Sequence, residues 1–83
     1  ALPVADGSLQ DSIKKIILGA SDVKKVGKVE TYKAAGNVLI VDVNCAFSNE
    51  MTIEQIHECV SEIEKQLRAR YSGSIVTIHA EPI

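Results

Sequence analysis

The chain has 83 residues, of which 46% are hydrophobic and 24% are charged, a balance typical of one small globular domain. Its net charge of −2 and aromatic content of 4% argue against nucleic acid or an anionic membrane surface as the main partner. No stretch is long and apolar enough to span a bilayer, and no basic, apolar leader is present, so we expect a soluble chain.

The first predicted element is an amphipathic helix. We expect residues 1–7 to be a flexible lead-in and residues 8–83 to form the domain, because Ser8 is a favoured helix cap. Asp11 is expected in the first turn, where the helix dipole favours a carboxylate, and Gly19 is the expected end. The apolar face at helical spacing consists of Leu9, Ile13, Ile16 and Ile17.

Two β-strands joined by a tight turn are predicted next. Alternation predicts a strand at Lys28–Lys33, and a run of β-branched residues predicts another at Val38–Phe47. The turn between them is expected at residues 34–37, since Gly36 and Asn37 tolerate positive φ. The predicted core face of the second strand consists of Leu39, Val41, Val43, Cys45 and Phe47.

The opposite face of that second strand changes character along its length. It begins with the apolar Val38 and Ile40 and ends with the polar Asp42 and Asn44. A domain of this size buries a limited core, so a partner that covers the apolar end would stabilise it. We therefore expect a homodimer.

A second helix and a final strand complete the predicted fold. Residues 52–55 form a capping box, in which Thr52 and Gln55 satisfy backbone donors, and Ser72-Gly73 ends the helix. The stripe expected to pack on the sheet is Ile53, Ile56, Val60, Ile63 and Leu67. The helix links two strands that a crossover makes parallel. The sequence thus predicts an α+β fold, an αββαβ two-layer sandwich with a three-stranded mixed sheet and two helices on one face.

The last strand carries the most specific chemistry of the chain. Because side chains alternate along a strand, His79 and Glu81 project to the same side, as half of a divalent-metal site would require. Two ligands do not make a site, so spacing alone favours a solvated face formed by Thr77 and these two residues. His57 flanks the apolar stripe of the second helix, where a half-buried packing role is typical. It stays a candidate ligand because the other histidine lies beside a carboxylate.

Cys45 and Cys59 lack Cys-x-x-Cys spacing and are predicted to be reduced, buried thiols; ligation of a soft metal is the alternative. No serine or cysteine has an evident base, and no glycine-rich phosphate loop occurs, so we expect no enzyme activity.

The motifs of the second helix and last strand, taken together, resemble a known family. The stretch from Glu54 to Glu64, with its central His57, and the stretch Val76-Thr77-Ile78-His79-Ala80-Glu81-Pro82 are similar to the C-terminal cytoplasmic domain of cation diffusion facilitator transporters. That family has a histidine in its second helix and a terminal strand ending in His-x-Asp/Glu-Pro. The resemblance covers residues 8–82, nearly the whole chain, and includes the element order.

The resemblance implies a function and a set of partners. It implies the cytoplasmic regulatory and dimerisation domain of a membrane transporter that exports Zn²⁺ or other divalent transition metals. The expected partners are a second copy, the transmembrane domain of the parent transporter and the metal ion. The implied ligands are His57, His79 and Glu81. Family members with two metals carry further histidines at positions that match about Gly27 and Asn44, and neither is histidine here, so a single site or a weak one is expected. Asp42 and Asn44 are candidate oxygen ligands on their shared face, with a role as plain surface residues as the favoured alternative.

An alternative reading is a small-ligand sensor, or a purely self-associating regulatory domain that binds no metal. A sensor pocket would need backbone donors near a glycine-rich loop, and Gly19 and Gly36 are too scattered to indicate one.

Overall fold

Within the residues that the structure describes, the protein folds into one four-stranded sheet covered on one face by two helices. The computed structural model describes residues 2–4, 6–20 and 22–82. The elements are β1 (Leu2–Pro3), α1 (Gly7–Leu18), β2 (Val23–Ala34), β3 (Val38–Phe47), α2 (Ile53–Arg70) and β4 (Ile75–Pro82). The strand order is β1-β2-β3-β4. None of the described helices is long and apolar enough to cross a membrane.

The α+β class is confirmed, but the prediction of three strands is wrong because β1 adds a fourth. Leu2 lies opposite Lys33 and Pro3 lies opposite Tyr32, antiparallel to β2. The hydroxyl of Thr31 donates to the Val4 carbonyl at 3.0 Å and further ties this segment to the edge of the sheet. A strand of two residues contains no alternation that a sequence pattern can reveal.

The hairpin between β2 and β3 has the predicted turn. Gly36 and Asn37 have φ values of 77° and 60°, in the left-handed region that glycine and asparagine tolerate. The strand before the turn begins at Val23, not Lys28, because the pairing with β3 contains register shifts between Val23 and Lys25 and between Val26 and Val29. These irregularities place Val23, Val26 and Val29 in the core at a spacing of three. That spacing is not the period of a regular strand.

The predicted cap is right for α2 and wrong for α1. The α2 capping box is confirmed, with Gln55 N donating to Thr52 Oγ1 at 3.1 Å and Thr52 N donating to Gln55 Oε1 at 2.9 Å. The prediction that Ser8 caps α1 is wrong: Asp6 is the cap, and its carboxylate accepts from Ser8 N and Leu9 N. Because the helix begins earlier, Asp11 lies beyond its first turn.

The core lies between the helices and one face of the sheet. The fully buried side chains include Ile13 and Ile17 of α1, Ile63 and Leu67 of α2, and Val41, Val43, Cys45 and Phe47 of β3. The predicted α2 stripe is therefore right at its centre and wrong at its start, because Ile53 is 87% exposed. Ile53 occupies the first helical position of α2 and is not part of the core.

β3 and β4 are parallel, as the crossover predicts, with Asn44 opposite His79 and Ala46 opposite Glu81. This register determines which polar residues become neighbours on the face that the helices leave open.

Candidate metal site

The open face of the sheet is built as a series of rungs across β2, β3 and β4. Because Val41, Val43, Cys45 and Phe47 point into the core, the alternate residues of β3 face outward. The pairing extends each of them sideways to its neighbours. The rungs are, in order, Tyr32–Ile40–Ile75, Glu30–Asp42–Thr77, Asn44–His79 and Lys25–Ala46–Glu81. The face is thus apolar near the hairpin and polar towards the end of β4.

An imidazole and a carboxylate meet in the middle of this polar region. His79 Nε2 lies 3.0 Å from Asp42 Oδ1. The contact is diagonal, since Asn44 is the residue directly opposite His79 and Thr77 is directly opposite Asp42. Both side chains are about half exposed, at 52% for His79 and 46% for Asp42. A nitrogen and an oxygen donor are therefore already together on an accessible surface.

Glu81 lies on the same face, two residues beyond His79. It is exposed and is opposite Ala46. It borders an open concavity whose other lining residues are Lys25, Gly27, Asn44, Ala46 and Pro82. The structure therefore brings Glu81 to the same region as His79 without joining it to the His79–Asp42 pair.

His57 lies in the other layer of the molecule. It is an exposed residue of α2, the helix that packs on the opposite face of the sheet. Among residues 2–4, 6–20 and 22–82, no group of three or more histidine, cysteine, aspartate or glutamate side chains is arranged to hold a metal ion. One chain therefore provides separate donors on two surfaces.

The chemistry of the open-face donors fits a divalent transition metal. Imidazole nitrogen and carboxylate oxygen are the ligands that Zn²⁺ and Mn²⁺ accept in proteins. Two donors in contact make half of a coordination shell, so additional ligands from water, from Glu81 or from another chain would be needed to complete it.

The two cysteines do not contribute to this donor set. Both are free; Cys45 is buried and Cys59 is half-buried. Burial raises the pKa of the Cys45 thiol to about 11, with smaller contributions from the charges of Cys59 and Glu81. Burial also raises the pKa of Cys59, with a further contribution from Asp22. Cys45 lies in the core, away from the open face, and the raised pKa of each thiol adds to the cost of forming the thiolate that a metal binds.

Sequence reasoning named Asp42 as an oxygen donor but did not connect it to His79. The contact between His79 and Asp42 depends on the β3–β4 register, which cannot be predicted from the sequence pattern. A second polar pair on the face was missed: the hydroxyl of Tyr32 donates to the carboxylate of Glu30. This hydrogen bond, with burial and the charges of Glu30 and Asp42, raises the pKa of Tyr32.

Comparison with known families identifies the class of protein. Residues 5–83 match the family described as the cation efflux protein, cytoplasmic domain. The match covers nearly the whole chain, so the chain belongs to this family and the sequence-based resemblance is confirmed. The family's description also agrees with the predicted cytoplasmic location.

Individual relatives agree with this assignment. The manganese efflux system protein MneP of Bacillus subtilis is 26% identical over 78 residues, which are 93% of this chain and 26% of MneP. The chain thus spans about a quarter of the length of that curated relative.

Solved structures share the fold. The transporter CzrB has a TM-score of 0.87 at 20% identity, covering 96% of this chain and 99% of the other. The metal-bound C-terminal domain of the CzcD transporter from Thermotoga maritima has a TM-score of 0.82 at 22% identity, covering 90% and 87%. The copper form of the MamM C-terminal domain has a TM-score of 0.83 at 17% identity, covering 96% and 78%.

Proposed function

We propose that this chain is the regulatory and dimerisation domain of a divalent-cation efflux transporter and that it binds metal through His79, Glu81 and His57, with Asp42 as an additional ligand. The observation that carries the proposal is the contact between His79 Nε2 and Asp42 Oδ1 at 3.0 Å. Membership of the family supports the role, and the metal-bound form of the CzcD domain and the zinc form of CzrB support metal binding.

A composite site between two copies follows from the separation of the donors. His57 is on the helix layer, whereas His79 and Asp42 are on the open sheet face. Because His57 and the His79–Asp42 pair lie in different layers of one chain, we infer that His57 of one copy completes the shell of His79 in the other. Metal would then bind only the dimer and would stabilise it by mass action.

The apolar end of the open face is the proposed contact between the copies. The rung of Tyr32, Ile40 and Ile75 lies there, and Ile75 is 55% exposed. Val38, which is half-buried, extends the patch towards the hairpin. Covering this patch would remove apolar surface from water and would bring the polar rungs of two copies near each other.

The proposed metal is Zn²⁺, with Mn²⁺ as the second candidate. Two imidazoles with carboxylates fit the tetrahedral preference of zinc. The oxygen-rich remainder of the face, Asp42, Asn44 and Glu81, would also suit manganese, and MneP is named as a manganese efflux protein. A higher affinity for Zn²⁺ than for Mn²⁺ would favour zinc, and the reverse order would favour manganese.

Calorimetric titration of the metal-stripped chain with Zn²⁺ and with Mn²⁺, run beside light scattering at the same concentrations, tests the proposal. We expect saturable binding and a dimer that tightens with metal. A dimer that binds neither ion would support the alternative of a purely self-associating domain. A chain that stays monomeric at high concentration with and without metal would refute the composite site.

A further inference from the structure

Lys25 and Glu81 occupy the two ends of one rung on the open face. Lys25 pairs with Ala46 across β2 and β3, and Ala46 pairs with Glu81 across β3 and β4. Adjacent strands lie about 4.8 Å apart, so the two backbones are separated by about 10 Å. The residue between them in this rung is Ala46, whose side chain is a methyl group.

The surroundings of this rung leave space above the sheet. Both residues line the same concavity, together with Gly27, Asn44, Ala46 and Pro82, and among the described lining residues only these two are charged. Gly27 has no side chain that would fill the concavity. A Cβ at this position would lie 3.3 Å from the Asn44 carbonyl oxygen and 3.4 Å from the Asn44 Cβ. The Lys25 ammonium is thus free to sample the space next to the Glu81 carboxylate.

No carboxylate of the described residues forms an ion pair with Lys25. Within the described part of the chain, the single ion pair is His79–Asp42, so Lys25 has no carboxylate within 4.0 Å. An uncompensated cation at this position acts on whatever binds Glu81. Its side chain is exposed, so its field is screened by water and by salt.

We propose that Lys25 lowers the affinity of the metal site by electrostatic competition for Glu81. This inference rests on the proposed metal binding by His79 and Glu81. In the metal-free chain the Lys25 ammonium faces the same space as the Glu81 carboxylate without an ion pair to it, so a divalent ion that engages this carboxylate experiences the repulsion of the ammonium. A regulatory site responds near its dissociation constant, so Lys25 would raise the metal concentration at which the domain responds.

The expected effect is modest because both groups are exposed. For a single and a double positive charge some 8 Å apart in a water-like dielectric, we expect a change in affinity of about three- to tenfold. The effect should vanish at about 1 M salt, where the Debye length is about 3 Å.

A graded charge series at position 25 tests the inference. We would measure Zn²⁺ isotherms of the parent, Lys25→Gln and Lys25→Glu at low salt and at about 1 M salt. Affinity should rise from the parent to Lys25→Gln and again to Lys25→Glu at low salt, and the differences should shrink at high salt. Lys14→Gln is the matched control, since Lys14 is an exposed lysine of α1 whose loss changes the net charge equally.

The outcomes distinguish this inference from the proposed function beneath it. If Lys25→Gln binds zinc like the parent while His79→Ala has lost binding, Lys25 has no such role and the metal site stands. If Lys14→Gln strengthens binding as much as Lys25→Gln, net charge explains the effect and the inference is wrong. If no variant, including the parent, binds metal, the proposed function itself fails.

Discussion

His79 contacts Asp42 diagonally across two parallel strands, at 3.0 Å, although Asn44 is the residue directly opposite it. Three polar side chains of β3 and β4 therefore lie together, and the ion pair joins His79 to Asp42 and not to the directly opposite Asn44. Comparing the residue opposite His79, Asn44, with the residue in polar contact with it, Asp42, therefore tests which side chains bind the metal.

Alanine variants of Asp42, Asn44 and His79 should separate ligands from bystanders. His79→Ala should reduce zinc affinity most, and Asp42→Ala should reduce it by at least the roughly tenfold that the loss of a group in contact with a ligand costs, because Asp42 is proposed as a ligand itself. Asn44→Ala should change it little, since a neutral amide is a weak donor. Binding should also weaken as the pH is lowered, because histidine must lose its proton to bind a metal.

Titration calorimetry at neutral pH measures the three affinities, and circular dichroism controls for folding. Parent-like binding by His79→Ala would show that the polar end of the face is only a solvated surface. Equal losses for Asn44→Ala and Asp42→Ala would show that the diagonal contact does not select the ligand.

Asp6 and Ser8 offer a matched pair for the N-terminus of α1. The Asp6 carboxylate accepts hydrogen bonds from Ser8 N and Leu9 N at 3.1 and 3.2 Å, so Asp6→Ala should lower the free energy of unfolding by about 1 kcal/mol. Ser8→Ala should change it by no more than a few tenths of a kcal/mol, since alanine is the better helix former. Urea denaturation of both variants measures the difference, and the reverse order would restore Ser8 as the cap.

The positions of the helices and strands could be predicted where the signal is local. The α2 capping box needs only Thr52 and Gln55, and the hairpin needs only residues that accept positive φ, so both were found from the sequence. The start of α1 was missed because Asp6 and Ser8 are both good caps, two residues apart, and the sequence does not decide between them. The start of β2 was missed because register shifts interrupt its alternation.

The sequence predicts which residue types form the candidate site but not which of them are in contact. Alternation along β4 shows that His79 and Glu81 share a face, yet which β3 residue His79 meets depends on a register that only the folded sheet defines. The separation of His57 from His79 likewise depends on which face α2 covers. His57, His79 and Glu81 stay predicted ligands, which the binding experiments must test.

Ile53 and Ile63 test how far the apolar stripe of α2 contributes to the core. Ile63 is 1% exposed, so Ile63→Ala should lower the free energy of unfolding by about 2–5 kcal/mol. Ile53 is 87% exposed, so Ile53→Ala should cost less than about 0.5 kcal/mol in the monomer. Denaturant titration at low protein concentration gives both values. A large cost at Ile53 under those conditions would mean that α2 packs over a longer stretch than described.

Cys45 should make the stability of the fold sensitive to alkaline pH. Its pKa is raised by burial from 9.0 to about 11, so the folded state holds the proton that the unfolded state releases first. The resulting stabilisation is fully present below about pH 9 and is lost as the pH rises through about 11. Cys45→Ala should be less stable at neutral pH because of lost packing, but its stability should fall less steeply over that interval.

Denaturant titrations of the parent and of Cys45→Ala across this alkaline range give the two slopes, and Cys59→Ala shows what a less buried thiol contributes. Identical slopes for the parent and Cys45→Ala would mean that the buried thiol does not control this pH dependence. Replacing both cysteines by alanine should leave zinc affinity nearly unchanged, because thiols that stay protonated are poor ligands. A large loss of affinity in a folded double variant would make the thiols part of the site.

Mixing two inactive variants tests whether His57 and His79 meet across the dimer. His57→Ala and His79→Ala should each bind zinc weakly alone. In an equimolar mixture that is allowed to exchange subunits, half of the dimers contain one copy of each variant, and each of these regains one complete site. About a quarter of the parent's high-affinity sites should therefore return, as two-fold symmetry requires. Energy transfer between copies of the two variants that carry different fluorophores measures subunit exchange separately. No recovery despite exchange would place both histidines of a site in the same chain or remove His57 from the site.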